Sequence, residues 1–290
     1  MYCTRQRVTP GYPLSPYLFI LVAEGLSTLI HKVVHIGDID GVQVCRGAPA
    51  VSHLLFADDC FLFCRANVVE AQCLLTILKT YETTSEQEIN LSKSEVFFNR
   101  NMSGVAQEYL SWIISVWHVM GMGKYLGLPS MIGRDKRYVF YFINDRIWKR
   151  IHVWRGWALS KAGKEIMIKF VLQSIPLHII SIYLLPNSDI DDIENMINGF
   201  WWGGRSNNRG IKWMAWEHAA CPKEFCGMGF RNFKAFNLAM VAKQWWKILS
   251  KPESLVTRVF KARYFPRSSF LVAKLGHNPS FVWRSIWNSH

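Results

Sequence analysis

Two adjacent carboxylates, Asp58 and Asp59, stand in the middle of HLLFADDCFLFC (residues 53–64), between arms of aliphatic and aromatic side chains. Carboxylates are hard oxygen donors and suit Mg²⁺, which proteins commonly hold through one or two of them plus the phosphates of a substrate. Two neighbouring anions repel and resist ionising together, so a bound cation would relieve them. The plainer reading of an isolated Asp-Asp is a polar turn facing water. Each arm is short, apolar and rich in aromatic residues, which predicts a buried β-hairpin with the acids at its apex rather than a helix.

Elements on both sides must hold such a hairpin. Residues 13–32, PLSPYLFILVAEGLSTLIHK, open on turn-forming prolines and become helical, with Leu18, Leu21, Val22, Gly25, Leu26 and Leu29 at three- and four-residue steps. Residues 40–47 read as a short strand. Residues 68–89 read as an amphipathic helix with Val68, Ala71, Leu74, Leu75, Leu78 and Tyr81 on one stripe, and 93–99 as a further strand. After Gly121-Met122-Gly123 the character changes. A turn-rich connector (125–133) leads into helical patterns at 136–154, 163–173 (interrupted by Pro176), 189–202 (closed by Gly203-Gly204), 232–250 and 253–264, with a loop at 205–210. The expected fold is α+β: an antiparallel sheet with helices in residues 1–124, a helical region in 125–204, and a basic, Trp-rich helical region in 205–290.

Half of the 290 residues are hydrophobic and 19% are charged, which excludes a globally disordered chain. The net charge is +13, and residues 205–290 carry 15 Lys or Arg against Glu217, Glu224 and Glu253, a net +12. Such a region attracts polyanions, nucleic acid before anionic membrane; the bland alternative is a solvated basic face. Lys243, Lys247, Lys251, Arg258, Lys261 and Arg263 recur along two predicted helices and are the candidates for holding phosphates. Trp213, Trp216, Trp245, Trp246, Trp283 and Trp287 are candidates for stacking on bases, with core packing the commoner role of a tryptophan. Seven scattered cysteines point to a reducing compartment, and Cys221, Cys226 and His218 make only a weak zinc pattern. The start, MYCTRQRVTPGYP, lacks the apolar stretch of a signal peptide. The best membrane candidate, residues 166–186, is broken by Lys169, Gln173 and Pro176, so an intracellular place, nucleus or cytoplasm, without membrane contact is expected.

FADD between two apolar arms resembles the catalytic hairpin of reverse transcriptases. GYPLSPYLFILVAEGLS upstream resembles the turn and helix that precede that hairpin, and INLSKSEVFF downstream the next motif of the palm. YLGLP, WALSKAGKEIMIKFVLQSIP, FWWGG and KWMAWEHAACPKEFCGMGFRNFKAFNLAMVAKQWWKIL are similar, in order, to the thumb and downstream segments of plant-type LINE (non-LTR) retrotransposon polymerases. The resemblance implies RNA-templated DNA synthesis, with Mg²⁺ or Mn²⁺ held by Asp58 and its weaker companion Asp59, and with an RNA template and DNA primer as partners. Two such metals clamp the attacking and leaving oxygens of an in-line displacement. It implies further that Lys93 meets phosphate charge, and that Gly11, Pro13, Ser15, Pro16 and Phe56 shape the nucleotide and template pocket. A surface turn lysine and simple helix initiation are the alternatives.

The departures from the family pattern bear on activity. The family needs another catalytic aspartate on an upstream strand, and none of the twelve residues before Pro13 is Asp or Glu. Asp38 and Asp40, in IGDIDG, read as loop residues. The family's Gln-Gly-Asp-Pro-Leu-Ser-Pro turn here reads Pro10-Gly11-Tyr12-Pro13-Leu14-Ser15-Pro16, which exchanges an amide and a carboxylate for Pro10 and Tyr12. The expectation is a truncated, catalytically incomplete reverse transcriptase; the alternative is a non-enzymatic remnant that binds RNA, DNA or a protein. Unpaired sheet edges in a cut palm would invite aggregation.

Overall fold

The computed structural model describes residues 2–3, 13–99, 101–116, 124–125, 128–129, 137–157, 159–203 and 211–289. The chain forms two compact units, Met1–Gly123 and Lys124–His290, and the fold is α+β.

In the front unit, helix α1 (Ser15–Ile36) carries a proline in its first turn, where the missing N–H costs no helical hydrogen bond. Its end is set by Gly37 at φ 91°, whose N–H reaches back to the carbonyls of Val33 and Val34. Helix α2 (Val68–Ser85) starts with reciprocal caps: Asn67 Oδ1 accepts from the Glu70 N–H at 2.7 Å, and the Asn67 amide donates to Glu70 Oε1 at 3.0 Å. The other oxygen of Glu70 accepts the N–H groups of Arg65 and Asp40, so this buried acid ties three chain segments together. Leu26 and Ile30 of α1 pack on Leu74, Ile77, Leu78 and Tyr81 of α2. Helix α3 (Gly104–Ile114), which the hydrophobic-pattern reading missed, closes a smaller cluster of Ala71, Leu110, Ile114 and Val116.

The sheet has four short strands, β1 (Tyr2–Cys3), β2 (His53–Phe56), β3 (Asp59–Leu62) and β4 (Ile89–Asn90), in the order β2-β3-β1-β4 with every neighbouring pair antiparallel. The expected hairpin is present, but it is not buried. Among the described residues β2 is at the edge of the sheet, and Leu54, Leu55 and Phe56 are exposed. The expected strand at 40–47 reduces to one bridge, Val42 to Val51, next to Gly41, where a Cβ would lie 2.9 Å from the Val51 backbone carbon. The expected strand at 93–99 reduces to a single bridge residue, Val96. Asn90 Oδ1 accepts from the Lys93 N–H and the Ser92 hydroxyl, and the Ser94 hydroxyl donates to the Asn90 carbonyl, so the chain folds into a 3₁₀ turn at Leu91–Lys93. α2 stops at Ser85 rather than 89: Thr83, Thr84 and Ser85 donate to carbonyls of the preceding turn, and Glu86 takes φ 54°.

Among the described residues α1 is long and apolar enough, by length and composition, to cross a bilayer. Its second half is fixed in the front-unit core through Leu26 and Ile30, while Tyr17, Leu18, Ile20 and Leu21 of its first half are exposed.

The back unit holds the two-stranded ribbon β5 (Lys124–Tyr125) and β6 (Leu128–Pro129), then helices α4 (Arg137–Arg155), α5 (Lys161–Ile166), α6 (Leu177–Ile180), α7 (Asn187–Trp202), α8 (Trp216–Ala219), α9 (Phe233–Ser250), α10 (Leu255–Tyr264) and α11 (Phe281–Asn288). The predicted helix at 163–173 is instead α5 continuing into a π-helical turn at Met167–Leu172. The stepped stripe of α4 (Phe140, Ile143, Ile147, Ile151) packs against Ile190, Ile193, Ile197 and Phe200 of α7. A second core gathers around Trp283, which is 0% exposed and lies flat against Tyr264 at 4.5 Å between ring centres. Asn237, on the inner face of α9, fastens the segment before α7: it accepts from the Leu185 N–H and donates to the carbonyls of Ile180 and Tyr183, each at 2.8 Å.

Candidate metal-binding hairpin and basic face

β2 and β3 pair residue for residue, His53 with Leu62 through Phe56 with Asp59, so Ala57 and Asp58 form a two-residue turn. Ala57, the first turn residue, takes φ 50°, where glycine is the usual occupant of such a hairpin. The conformation costs a non-glycine residue about 1 kcal/mol and brings Asp58 to the exposed apex. Asp59 opens β3 and is half-buried. Its strand neighbours continue one register row across the sheet: Phe56, Asp59, Tyr2, Asn90. With strands about 4.8 Å apart, the backbones of Asp59 and Asn90 are roughly 10 Å apart. Phe56 is 58% exposed beside the acids.

The base of the hairpin is held by a residue that sequence reasoning did not single out. His53 Nε2 lies 3.0 Å from Ser27 Oγ on α1, and its Nδ1 3.0 Å from Ser52 Oγ. His31 of α1 meets its ring edge-on at 4.9 Å. Burial, and then the neighbouring His31, push the His53 pKa below its ordinary value, so it anchors β2 to α1 as a neutral ring. Nothing in the local sequence marks it; the contact depends on how α1 crosses the strand.

Asp58 and Asp59 offer hard oxygens of the kind Mg²⁺ takes, and two carboxylates with substrate phosphates are a normal Mg²⁺ environment. Among the described residues no third His, Cys, Asp or Glu joins them to complete a cation-holding group. Of the other residues expected here, Lys93 is exposed at the end of the 3₁₀ turn, its N–H on the Asn90 side chain at 3.1 Å. Pro13 lies in the exposed turn before α1, Ser15 and Pro16 open the helix, and Gly11 lies outside the described residues. The Ser15 hydroxyl is buried and has no hydrogen-bond partner among the described residues.

In the back unit, Lys243, Lys247, Lys251, Arg258, Lys261 and Arg263 are all exposed, and none forms an ion pair among the described residues. The tryptophans divide. Trp216 and Trp283 are buried, Trp245 packs on Phe270, and Trp287 donates its indole N–H to the Ala273 carbonyl. Trp213 and Trp246 face solvent. Cys221 is half-buried with its thiol toward the Glu217 carbonyl, Cys226 is exposed, and the described cysteines form no disulfide. Other charged groups have structural tasks. Lys161 donates to the Trp201 carbonyl at 3.0 Å and covers both Trp201 and Trp202, and Lys164 donates to the Gly203 carbonyl. The SKAGKE and FWWGG motifs are thus one device, two cations closing the C-terminal end of α7. Glu194 accepts from the Phe233 N–H at the start of α9; burial pushes its carboxyl up to about 7.

The reverse transcriptase (RNA-dependent DNA polymerase) family matches residues 2–130, which include the hairpin, α1 and the Lys93 turn. The uncharacterized mitochondrial protein AtMg00310 of Arabidopsis thaliana is 36% identical over 114 residues, 39% of this chain and 74% of that protein. The Arabidopsis protein At1g65750, named for ribonuclease H, is 30% identical over 56% of this chain and 26% of its own length. The uncharacterized mitochondrial protein AtMg01250 is 51% identical over 49 residues, 17% of this chain and 40% of its own.

Proposed function

We propose, from the match of residues 2–130 to the reverse transcriptase family and from the family that the chain shares with AtMg00310, that it is palm and thumb sequence of a LINE-type retrotransposon polymerase. In this reading residues 1–124 are part of the palm, 125–204 the thumb-like region and 205–290 a basic nucleic-acid-binding region. The observation that carries it is the Asp58-Asp59 pair at the tip of an antiparallel hairpin inside the family match. A bound Mg²⁺ or Mn²⁺ would neutralise the phosphate charge that develops in nucleotidyl transfer. The chain's own residues do the positioning. Asp58 and Asp59 supply oxygens from a turn fixed by strand pairing. Phe56 and the Pro13, Ser15, Pro16 turn present a rigid edge to template and nucleotide, and Lys93 brings a cation to the phosphates.

We propose also that these 290 residues by themselves are catalytically incomplete, because the described hairpin offers two carboxylates and no third. Polymerisation depends on charge stabilisation and alignment, where losing one stabilising group costs about 10²–10³ in rate. The test is deoxynucleotide incorporation on a primed RNA template with Mg²⁺ or Mn²⁺. We expect no extension above background. Robust extension that disappears in Asp58→Ala would overturn the incompleteness and leave the polymerase reading standing. The exposed cations of α9 and α10 favour a second reading in which the surviving role is nucleic-acid binding without catalysis.

A further inference from the structure

We propose that Trp246 is a base-stacking platform, and that the outer face of α9 binds single-stranded nucleic acid rather than duplex. The inference rests on the nucleic-acid reading of the basic region and narrows it to one ligand class and one residue. Val241, Ile248 and Asn237 mark the buried side of α9. At 3.6 residues per turn, Trp246 lies on the opposite side, at the outermost line of the helix. It is 61% exposed, whereas its neighbour Trp245 is turned inward onto Phe270. Lys243 and Lys247 flank Trp246 on one side of that face, and Lys251 follows at the helix end, all exposed. Ala242 on the other side, and Ala239 two turns earlier on nearly the same line as Trp246, are both small.

A planar apolar ring beside a row of cations on a helix matches an unpaired nucleotide, with the base on the indole and the phosphates on the lysines. A duplex hides its base faces in its own stack and offers this surface only phosphate charge. One base stacked on an aromatic ring contributes about 1–3 kcal/mol, or roughly 5- to 150-fold in affinity.

The test compares binding of a labelled 12-nucleotide single strand and of the same sequence as a duplex, at one salt concentration. It uses the full chain, Trp246→Ala, Trp246→Phe, and the triple variant with Lys243, Lys247 and Lys251 changed to Gln. Trp246→Ala should lose at least fivefold for the single strand and stay within twofold for the duplex. Trp246→Phe should recover most of the loss, and the triple variant should weaken both ligands. Unchanged single-strand affinity in Trp246→Ala, with weakening in the triple variant, overturns the stacking site and leaves the basic-face reading intact. Equal losses for both ligands overturn the single-strand preference. No binding by the unaltered chain overturns the basic-face reading and the stacking site together.

Discussion

Replacing Asn237 by alanine is expected to destabilise the back unit by about 3–9 kcal/mol, since each of three backbone groups left without a partner costs about 1–3 kcal/mol. Asn237 is 2% exposed. One amide side chain serves the Leu185 N–H and the carbonyls of Ile180 and Tyr183 on the segment that leads into α7. Alanine would strand all three, and the volume it frees is enclosed by packed side chains. For a unit of this size the loss corresponds to a melting temperature lower by roughly 10 °C or more. Asn237→Asp keeps the acceptor for Leu185 but turns an anion toward two carbonyls, so it should be at least as damaging. Lys234→Ala, one turn earlier and exposed, should leave the melt unchanged. Thermal unfolding followed by near-ultraviolet circular dichroism, which reports the packed tryptophans, measures all three.

The second large effect is on nucleic-acid affinity. Six exposed cations on α9, the turn after it and α10 lack carboxylate partners among the described residues. If they neutralise phosphates, binding releases counterions, and log affinity falls with log salt at a slope of about −0.7 per contact for a single strand. Six contacts give a loss on the order of 10²–10³ between 50 and 200 mM salt. Titrating a labelled oligonucleotide across that range tests it, and an affinity that holds steady would remove these residues from any phosphate site. The Trp283→Ala change would not be a fair control, since Trp283 is the hub of the α9–α11 core.

What could be read from the residues, and what could not, follows from the range of the forces involved. The stripes of α2 and α4 were legible because a 3.6-residue period records which face is buried. The FADD turn was legible because two apolar arms around a short polar apex pair locally. The strands at 40–47 and 93–99 were misread. Their residue types suit a strand, but the backbone of 91–94 is captured by the Asn90 side chain and carbonyl, and Val42 finds one bridging partner only. The hairpin was expected to be buried because its arms are apolar, yet strand order leaves β2 at an edge, and order is a tertiary fact. The roles of Lys161 and Lys164 on the far end of α7, and of His53 between two serines, join residues too distant in sequence for spacing to reveal. The tryptophans divide for the same reason: adjacent Trp245 and Trp246 differ only in which side of α9 each occupies.

We propose the two acids at the hairpin tip as the cation-holding corner of a reverse transcriptase palm. The most direct test is addition of Mn²⁺ to the isotope-labelled chain, with amide line broadening read residue by residue. Broadening should be strongest at Ala57, Asp58 and Asp59, next along the register row through Tyr2 and Asn90, and should be abolished by Asp58→Asn. Broadening centred elsewhere, or unchanged at the hairpin in Asp58→Asn, would contradict it.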